Sequence, residues 1–423
     1  MPYIFRADLF LLKYIMSKIL STALLALATM AIPLRAEPAV VVSLSSIGGR
    51  IRAKNPDLAA ARLRIQEALG RMNQSGRLAN PELETGLEHN SRFREGKFEI
   101  GVSQRFPITD RLRLEKDVSF TELKSAEAEV REVERQFTGQ AREAVVKVLA
   151  SGQRRELLRE QSAVSKQFAD FLSEAAEKGE GSPLDAGQAK LEATSLSMEI
   201  RQLDASETAL LGELKPLLGM RPGEALSIGG TLPEATLPGT AADPSRRPDF
   251  QAAKLGALAA AQGVALEQAR RYDDVEGGIF AGAERTEDAP EGYQNEAIAG
   301  VRFKIALPFW NKNEGAIQEA EAKKIRKEME AVALGRGIRL EAEAARAEMQ
   351  EWAKMIAEIN DTLLPLADEQ TKLAEDAYRN AQGEIQSVLR SREKRLQLAA
   401  AKLDALREFH LARVRHETAL AKP

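Results

Sequence analysis

Few side chains in this sequence are of the kinds that do chemistry, and their spacing assembles no reactive centre. There is no cysteine, which removes disulfides, thiol nucleophiles and thiolate metal ligands. The histidines are His89, His410 and His416. His89 falls at the end of an alternating segment. His410 and His416 miss the i,i+4 spacing that sets two imidazoles on one helix face around a metal. Neither a phosphate-cradling glycine loop nor a nucleophile elbow is present. Carboxylates abound, but in stretches equally rich in Lys and Arg, the composition of solvated helix faces. The chain is therefore expected to be no enzyme, to hold no metal and to need no cofactor. What its charges can do is line surfaces, and two groups stand out. Glu99, Arg105, Arg302 and Lys304 alternate with apolar residues. Glu180, Asp185, Arg379 and Glu384 flank two glycine-containing turns.

Strands must position the first group. In Glu296–Ala320 the pattern changes period. Ala297, Ala299, Val301, Phe303, Ile305 and Leu307 fall on one face, and Gly300, Arg302 and Lys304 on the other, a period of two. After Gly315 an Ala/Glu/Lys/Arg-rich run with no proline before Pro365 reads as helix, with Pro308-Phe309-Trp310-Asn311-Lys312-Asn313 as the corner. Lys97–Pro107 does the same: Phe98, Ile100, Val102 and Phe106 oppose Lys97, Glu99, Ser103 and Arg105, and helix follows from about Arg113. Pro81–His89 and Val275–Glu284 are the partner strands, across turns Asn90–Gly96 and Arg285–Tyr293. Segments of about ten alternating residues suit tilted transmembrane strands, apolar toward lipid and polar toward a lumen. On that reading Glu99, Arg105, Arg302 and Lys304 face the lumen. A half-buried hairpin in a soluble sheet alternates too, so the strands alone do not decide.

Long helices must position the second group. From about Arg113 to Lys178 there is no proline, a span of roughly 100 Å if helical. It ends at Lys178-Gly179-Glu180-Gly181. Ser182-Pro183-Leu184-Asp185 restarts a helix with Ser as N-cap, Pro at the first position and an acid at the third, running to about Lys215. A second long run, Gly315 to about Asn380, turns at Ala381-Gln382-Gly383-Glu384 and returns to about Leu420. The charges around both turns are candidates for a closed, gated tip. Capping and solvation of exposed turns is the plainer role, and Asp185 suits it.

The whole order is duplicated. Asn55-Pro56-Asp57-Leu58 recurs as Arg247-Pro248-Asp249-Phe250, each opening a helix of about 22 residues. One opening helix and one return helix together match the length of a long helix. The return helix carries two stripes at heptad spacing, Leu196/Leu203/Leu210/Leu217 and Leu184/Leu191/Met198/Ala205, on well-separated faces. Such a helix has a neighbour on each side, as in a closed ring. Four strands cannot close a barrel, and open edges are not tolerated in lipid. Three chains would supply twelve strands.

At this point the chain resembles TolC-type outer-membrane efflux proteins. The resemblance rests on the duplicated order and on Asn55-Pro56-Asp57-Leu58, Asn80-Pro81-Glu82-Leu83, Arg247-Pro248-Asp249 and Leu307–Ile317. The last, LPFWNKNEGAI, is similar to the corner of the heavy-metal-efflux, CzcC/CusC-like branch. The resemblance implies an α+β membrane protein of mainly long α-helices. As a homotrimer it forms a twelve-stranded outer-membrane β-barrel on a periplasmic α-helical barrel. It also implies docking to a periplasmic adaptor and an inner-membrane RND-type pump, and passive export of metal ions or small toxic compounds. Relatives often carry a lipidated cysteine that this sequence lacks. A periplasmic coiled-coil adaptor or scaffold is the alternative, but such a protein has one helical hairpin where this one has two.

Composition agrees. Lys+Arg number 60 against 63 Asp+Glu, and the net charge of −3 argues against a nucleic-acid partner. Aromatic content is only 5%, and Ala, Glu, Leu, Arg and Lys dominate, as in long-helix proteins. The domain reading is a signal peptide at 1–36 and an N-terminal segment at 37–54. A first repeat covers 55–246, with strands 81–107, helical hairpin 113–215 and equatorial segment 216–246. A second covers 247–423, with strands 275–307 and hairpin 315–420. Lys13 and Lys18 precede the apolar run Leu20–Pro33, too short to span a bilayer, and Ala36 offers a small residue for cleavage. Met16 is an alternative start. Sequencing the N-terminus of the mature protein should find a chain starting near Glu37; Met1 or Met16 there would refute the leader.

Overall fold

The computed structural model describes residues 39–239, 243–288, 290–380 and 382–422. The expected leader lies outside them. The described residues divide into two compact units, one of residues 39–41 with 223–227 and a larger one of 42–222 with the described residues from 228 onward. In the smaller, the Val40 N–H donates to the Ala225 carbonyl at 2.9 Å.

The elements run β1 (Val40–Val42), α1 (Ile47–Lys54), α2 (Pro56–Gln74), β2 (Glu82–His89), β3 (Gly96–Phe106), α3 (Arg111–Glu177) and α4 (Pro183–Leu217). Then come β4 (Leu226–Ile228), a 3-10 turn (Pro244–Arg246), α5 (Pro248–Ala269), β5 (Val275–Asp288) and β6 (Gly292–Lys304). The last are α6 (Glu314–Glu358), a π turn (Ile359–Leu363), α7 (Leu364–Arg379) and α8 (Ile385–Ala419). β1 pairs with β4; β2, β3, β5 and β6 form one antiparallel sheet in that order.

Caps and prolines set the boundaries. Asn55 is buried and its Oδ1 accepts from the Leu58 N–H at 2.7 Å, capping α2, while Pro56 fills the first position. Its Nδ2 also donates to the Leu217 carbonyl at 2.8 Å, an orphan acceptor at the end of α4. Arg247 holds the matching position before α5 by other means. It pairs with Asp249 at 3.0 Å and Glu341 at 2.6 Å, tying α5 to α6. α3 has 67 residues, about 100 Å at 1.5 Å per residue. It packs against α2, α4, α5 and α8, and α8 in turn against α6 and α7. The buried residues are mostly small: Ala128, Ala141, Val145 and Val146 on α3, Ala405, Ala412 and Val414 on α8. Small side chains let helix axes approach closely over many turns.

The structure departs from the sequence reading in two places. The second hairpin is longer: β5 extends to Asp288 and β6 begins at Gly292, so the expected turn Arg285–Tyr293 shrinks to a few residues. Polar side chains there end the hydrophobic signal but not the ladder. β6 also stops at Lys304 rather than Leu307, ahead of Pro308, which has no N–H to donate. The second long run is not one α-helix, because the π turn interrupts it before Pro365. Pro365 offers no N–H to the Asp361 carbonyl and its ring crowds that group, so the helix widens locally.

Asn55→Ala should lower stability by about 1–2 kcal/mol for the lost cap, with a further cost for the stranded Leu217 carbonyl. Asn55→Asp keeps the cap acceptor and should fall between. Urea midpoints of the purified proteins check the order.

Candidate functional site

The register of the four-stranded sheet sorts its side chains onto two faces. On one, Leu83 pairs with Val102, Val102 with Ile279, and Ile279 with Val301; Phe303 follows opposite Gly277. This face is apolar and bare. Phe303 is 72% exposed and Leu83 69%, so neither belongs to the core of one chain.

The opposite face is charged. Arg302 reaches Glu84 at 2.9 Å and Glu99 at 2.5 Å, and Lys97 reaches Glu99 at 3.0 Å. Arg105 lies 3.2 Å from Glu82 and 3.6 Å from Glu276; Lys304 is 4.0 Å from Glu276. All four strands are thus laced together, and Glu99, Arg105, Arg302 and Lys304 share this face. Exposed pairs contribute ~0–1 kcal/mol each, so the lattice holds side chains in place more than it holds the fold.

Phe280 sits on the charged face, which sequence reasoning missed. Its partners across both strands are glycines, Gly101 and Gly300. A Cβ on Gly300 would come within 2.7 Å of the tip of the Phe280 ring, so the glycine lets the ring lie where it does and any larger residue would push it aside. The Arg302 guanidinium lies 5.2 Å from the ring centroid. The signal was present: Ile279 and Phe280 are adjacent, so in a strand one must point to the polar side.

At the far end of the helices each turn is built from backbone hydrogen bonds. After α3 the Gly179 N–H donates to Ala176 O and the Glu180 N–H to Ala175 O, with Gly179 at φ +75°. This is the Schellman pattern that glycine permits. Ser182 Oγ then accepts from the Asp185 N–H at 3.4 Å, as the sequence spacing implies. After α7 the Gln382 N–H donates to Ala377 O. Below both turns Ala169, Leu172, Ala186, Ala189 and Ile385 form one apolar cluster that draws on both hairpins. Phe168 and Tyr378 pack edge to face at 6.4 Å, and Arg392 covers Phe168 while pairing with Glu375 at 2.7 Å. Burial raises the Tyr378 hydroxyl pKa, and the Asp185 carboxylate pushes it the same way. The Asp185 charge is therefore felt at the second hairpin. Among the described residues Glu180, Asp185, Arg379 and Glu384 form no ion pair within the chain.

The long helices lie in a row: α4 touches α3, α3 touches α8, and α8 touches α7. Of the two stripes on α4, Leu196 is buried and Leu203, Leu210 and Leu217 are half-buried against the chain. Leu184, Leu191 and Met198 are 68%, 73% and 67% exposed. At the other end of the row Leu366 and Leu373 on α7 are also exposed. Between α4 and α8 a groove of about 660 Å³ is walled by Leu191, Leu196, Leu389 and Leu396. Burial raises the pKa of Glu192 at its edge, against the pull of Arg392.

The histidines are apart. His89 stacks on Phe93 at 3.9 Å, and His410 Nε2–H donates to the Pro233 carbonyl at 2.8 Å. Burial lowers the pKa of His416. Among the described residues no three His, Asp or Glu side chains are placed to hold a metal ion. No described helix is long and apolar enough to cross a membrane.

Residues 48–219 match the family described as Outer membrane efflux protein. No curated protein matches the chain. Solved structures resemble it along nearly its whole length. The outer-membrane channel OprN superposes with a TM-score of 0.75 at 16% identity, over 90% of each chain. CusC, described as forming a transmembrane channel, gives 0.73 at 15%, over 90% of this chain and 92% of its own. The outer membrane protein VceC of Vibrio cholerae gives 0.72 at 20%, over 90% and 96%.

The two faces of the sheet are testable by single cysteines in native membranes. A water-soluble maleimide should label Arg302→Cys and spare Phe303→Cys, and equal labelling would contradict the assignment. Phe303→Lys should cost ~2–4 kcal/mol if the site lies near the bilayer midplane.

Proposed function

We propose that this chain, whose residues 48–219 match the outer membrane efflux protein family, is one protomer of a trimeric exit duct across the outer membrane. One observation carries the reading. The sheet is bare and apolar on one face, ion-paired on the other, and unpaired at both edge strands, β2 and β6. In water the apolar face would be uncovered; in lipid the edges would strand backbone groups. Closure with two further copies resolves both, giving twelve strands with Glu99, Arg105, Arg302 and Lys304 toward the lumen.

The helices support the same closure. α4 runs away from the turns and α7 toward them, so neighbouring copies would lay them antiparallel. At equal rise per residue Leu373 then falls between the levels of Leu184 and Leu191, and Leu366 between Leu191 and Met198. The exposed stripes would interleave. The two structural repeats, 55–246 and 247–423, supply one hairpin of strands and one of helices each.

The duct is a passive conduit. Its expected partners are a periplasmic adaptor, for which the apolar groove between α4 and α8 suits a helical hairpin, and an RND-type inner-membrane pump. The cargo class we assign is metal ions or small toxic compounds, on the likeness of the Leu307–Ile317 corner. Specificity would lie in the pump. Glu180, Asp185, Arg379 and Glu384, unpaired within the chain, become rings of three at the tip and are the candidate gate. The adaptor or scaffold alternative is disfavoured by the two hairpins and the four-stranded sheet.

Outer-membrane fractionation with crosslinking should recover a trimer; a soluble monomer would overturn the duct. In planar bilayers the combined change Glu180→Ala, Asp185→Ala, Arg379→Ala and Glu384→Ala should raise single-channel conductance well above wild type. Unchanged conductance in a folded trimer would leave these residues as caps and docking contacts.

A further inference from the structure

The bare face of the sheet does not end where β6 ends. Val301, Phe303, Ile305 and Leu307 continue the alternation beyond Lys304. The Phe309 N–H then donates to the Leu307 carbonyl at 2.8 Å and turns the chain at Pro308, and each of these side chains, with that of Phe309, is more than half exposed. Trp310 follows, 97% exposed, with its ring edge-on to Phe309 at 6.4 Å. Lys312, also exposed, comes two residues later. On the neighbouring strand connection Phe106 and Ile108 are exposed as well. A fully exposed tryptophan at the end of an apolar face is costly in water and demands a partner.

Geometry says which. Along β3 the apolar face runs from Phe98 to Phe106, roughly 26 Å at 3.3 Å per residue. A tilt of about 40° reduces this to ~20 Å, close to the ~25 Å apolar band of a membrane barrel. Trp310 lies just beyond that band. At the opposite end of the sheet stand Phe93 and Tyr293, the latter with the Arg285 guanidinium 4.7 Å from its ring centroid. Between the two ends the strands carry neither Trp nor Tyr. Amphipathic aromatics at both rims and none between is the distribution that a bilayer imposes, because indole and phenol prefer the headgroup level.

We propose that the Pro308–Lys312 corner is a phospholipid-binding anchor. The Trp310 indole sits at the headgroup level of the periplasmic leaflet, and the Lys312 ammonium lies among lipid phosphates. This rests on the barrel reading above and adds to it a specific contact that fixes the depth of each protomer.

The chain has two tryptophans, Trp310 and Trp352. Trp352 packs beside Met349 and Phe409, away from the sheet. Trp352→Phe therefore isolates the Trp310 signal. The full-length variant is reconstituted in phosphatidylethanolamine–phosphatidylglycerol vesicles with bromine near the headgroup or near the acyl-chain ends. Shallow bromine should roughly halve the fluorescence, deep bromine should quench less, and aqueous iodide should have little effect. Trp310→Phe in the otherwise native chain should abolish the shallow quench, which gives the answer by subtraction should Trp352→Phe fail to assemble. Quenching by iodide but not bromolipid would place Trp310 in water and overturn the anchor. So would quenching by neither, which would bury it between copies, or stronger quenching by deep bromine. Heat-modifiable migration of the same samples separates the two readings. A chain that does not insert overturns the duct and the anchor together, whereas an inserted barrel without lipid quenching overturns the anchor alone.

Discussion

Two strand edges without partners are the constraint on which the rest of this molecule depends. Each offers backbone N–H and C=O groups that water could satisfy and hydrocarbon cannot, at several kcal/mol per orphan group. Next to those edges lies a face that hydrocarbon suits and water does not. No single-chain arrangement of four strands meets both demands, since four strands are too few to close. In the proposed duct, the need for further copies is thus written into the backbone, before any interface side chain is considered. The charged face then has a natural place in the proposed duct, because closing the sheet would turn it inward. There its pairs are shielded from lipid and stay wet.

The helices extend the same logic beyond the sheet. A row of four with an uncovered apolar stripe at each end is a strip of wall rather than a bundle. Its interior is packed through alanine and valine, which lets long axes run side by side. Its ends are finished by backbone caps, glycine at one turn and a serine hydroxyl at the next helix start. Those caps account for the turns without the nearby charges. That is why Glu180, Arg379 and Glu384 stand free for other work, while Asp185 is held at a helix start by its backbone N–H, which donates to Ser182 Oγ.

Much of this was legible in the sequence, for reasons of period. Phe98, Ile100 and Val102 against Lys97, Glu99 and Ser103 can only be a two-sided strand. Gly179 followed by Ser182-Pro183 can only be a turn between helices. Asn55-Pro56 marked a helix start, though not that Asn55 would also hold the end of α4, since that contact joins residues distant in sequence. Less legible was whatever depended on register. That one of Ile279 and Phe280 faces the polar side was readable from their adjacency; that the Phe280 ring has room there depended on two glycines on two other strands. The extra length of the second hairpin was hidden because Thr286, Glu287 and Tyr293 pair through their backbones. The strands β1 and β4 are three residues each and gave no pattern to read. At Pro365 the sequence showed the missing donor but not how the helix would absorb it.

That absorption has a consequence for phase. A π turn holds one more residue than the α-helical turn it replaces. Upstream, Met329, Val332 and Leu340 form an exposed apolar line on α6; downstream, Leu366 and Leu373 form another on α7. At about 100° per residue an unbroken α-helix would set the second line roughly a quarter to a third of a turn away from the first. Removing one residue from the count brings them back onto the same side. The π turn therefore acts as a skip in the helical register. It lets a single apolar seam run down both α6 and α7, and a proline that would otherwise only damage a helix keeps that seam straight.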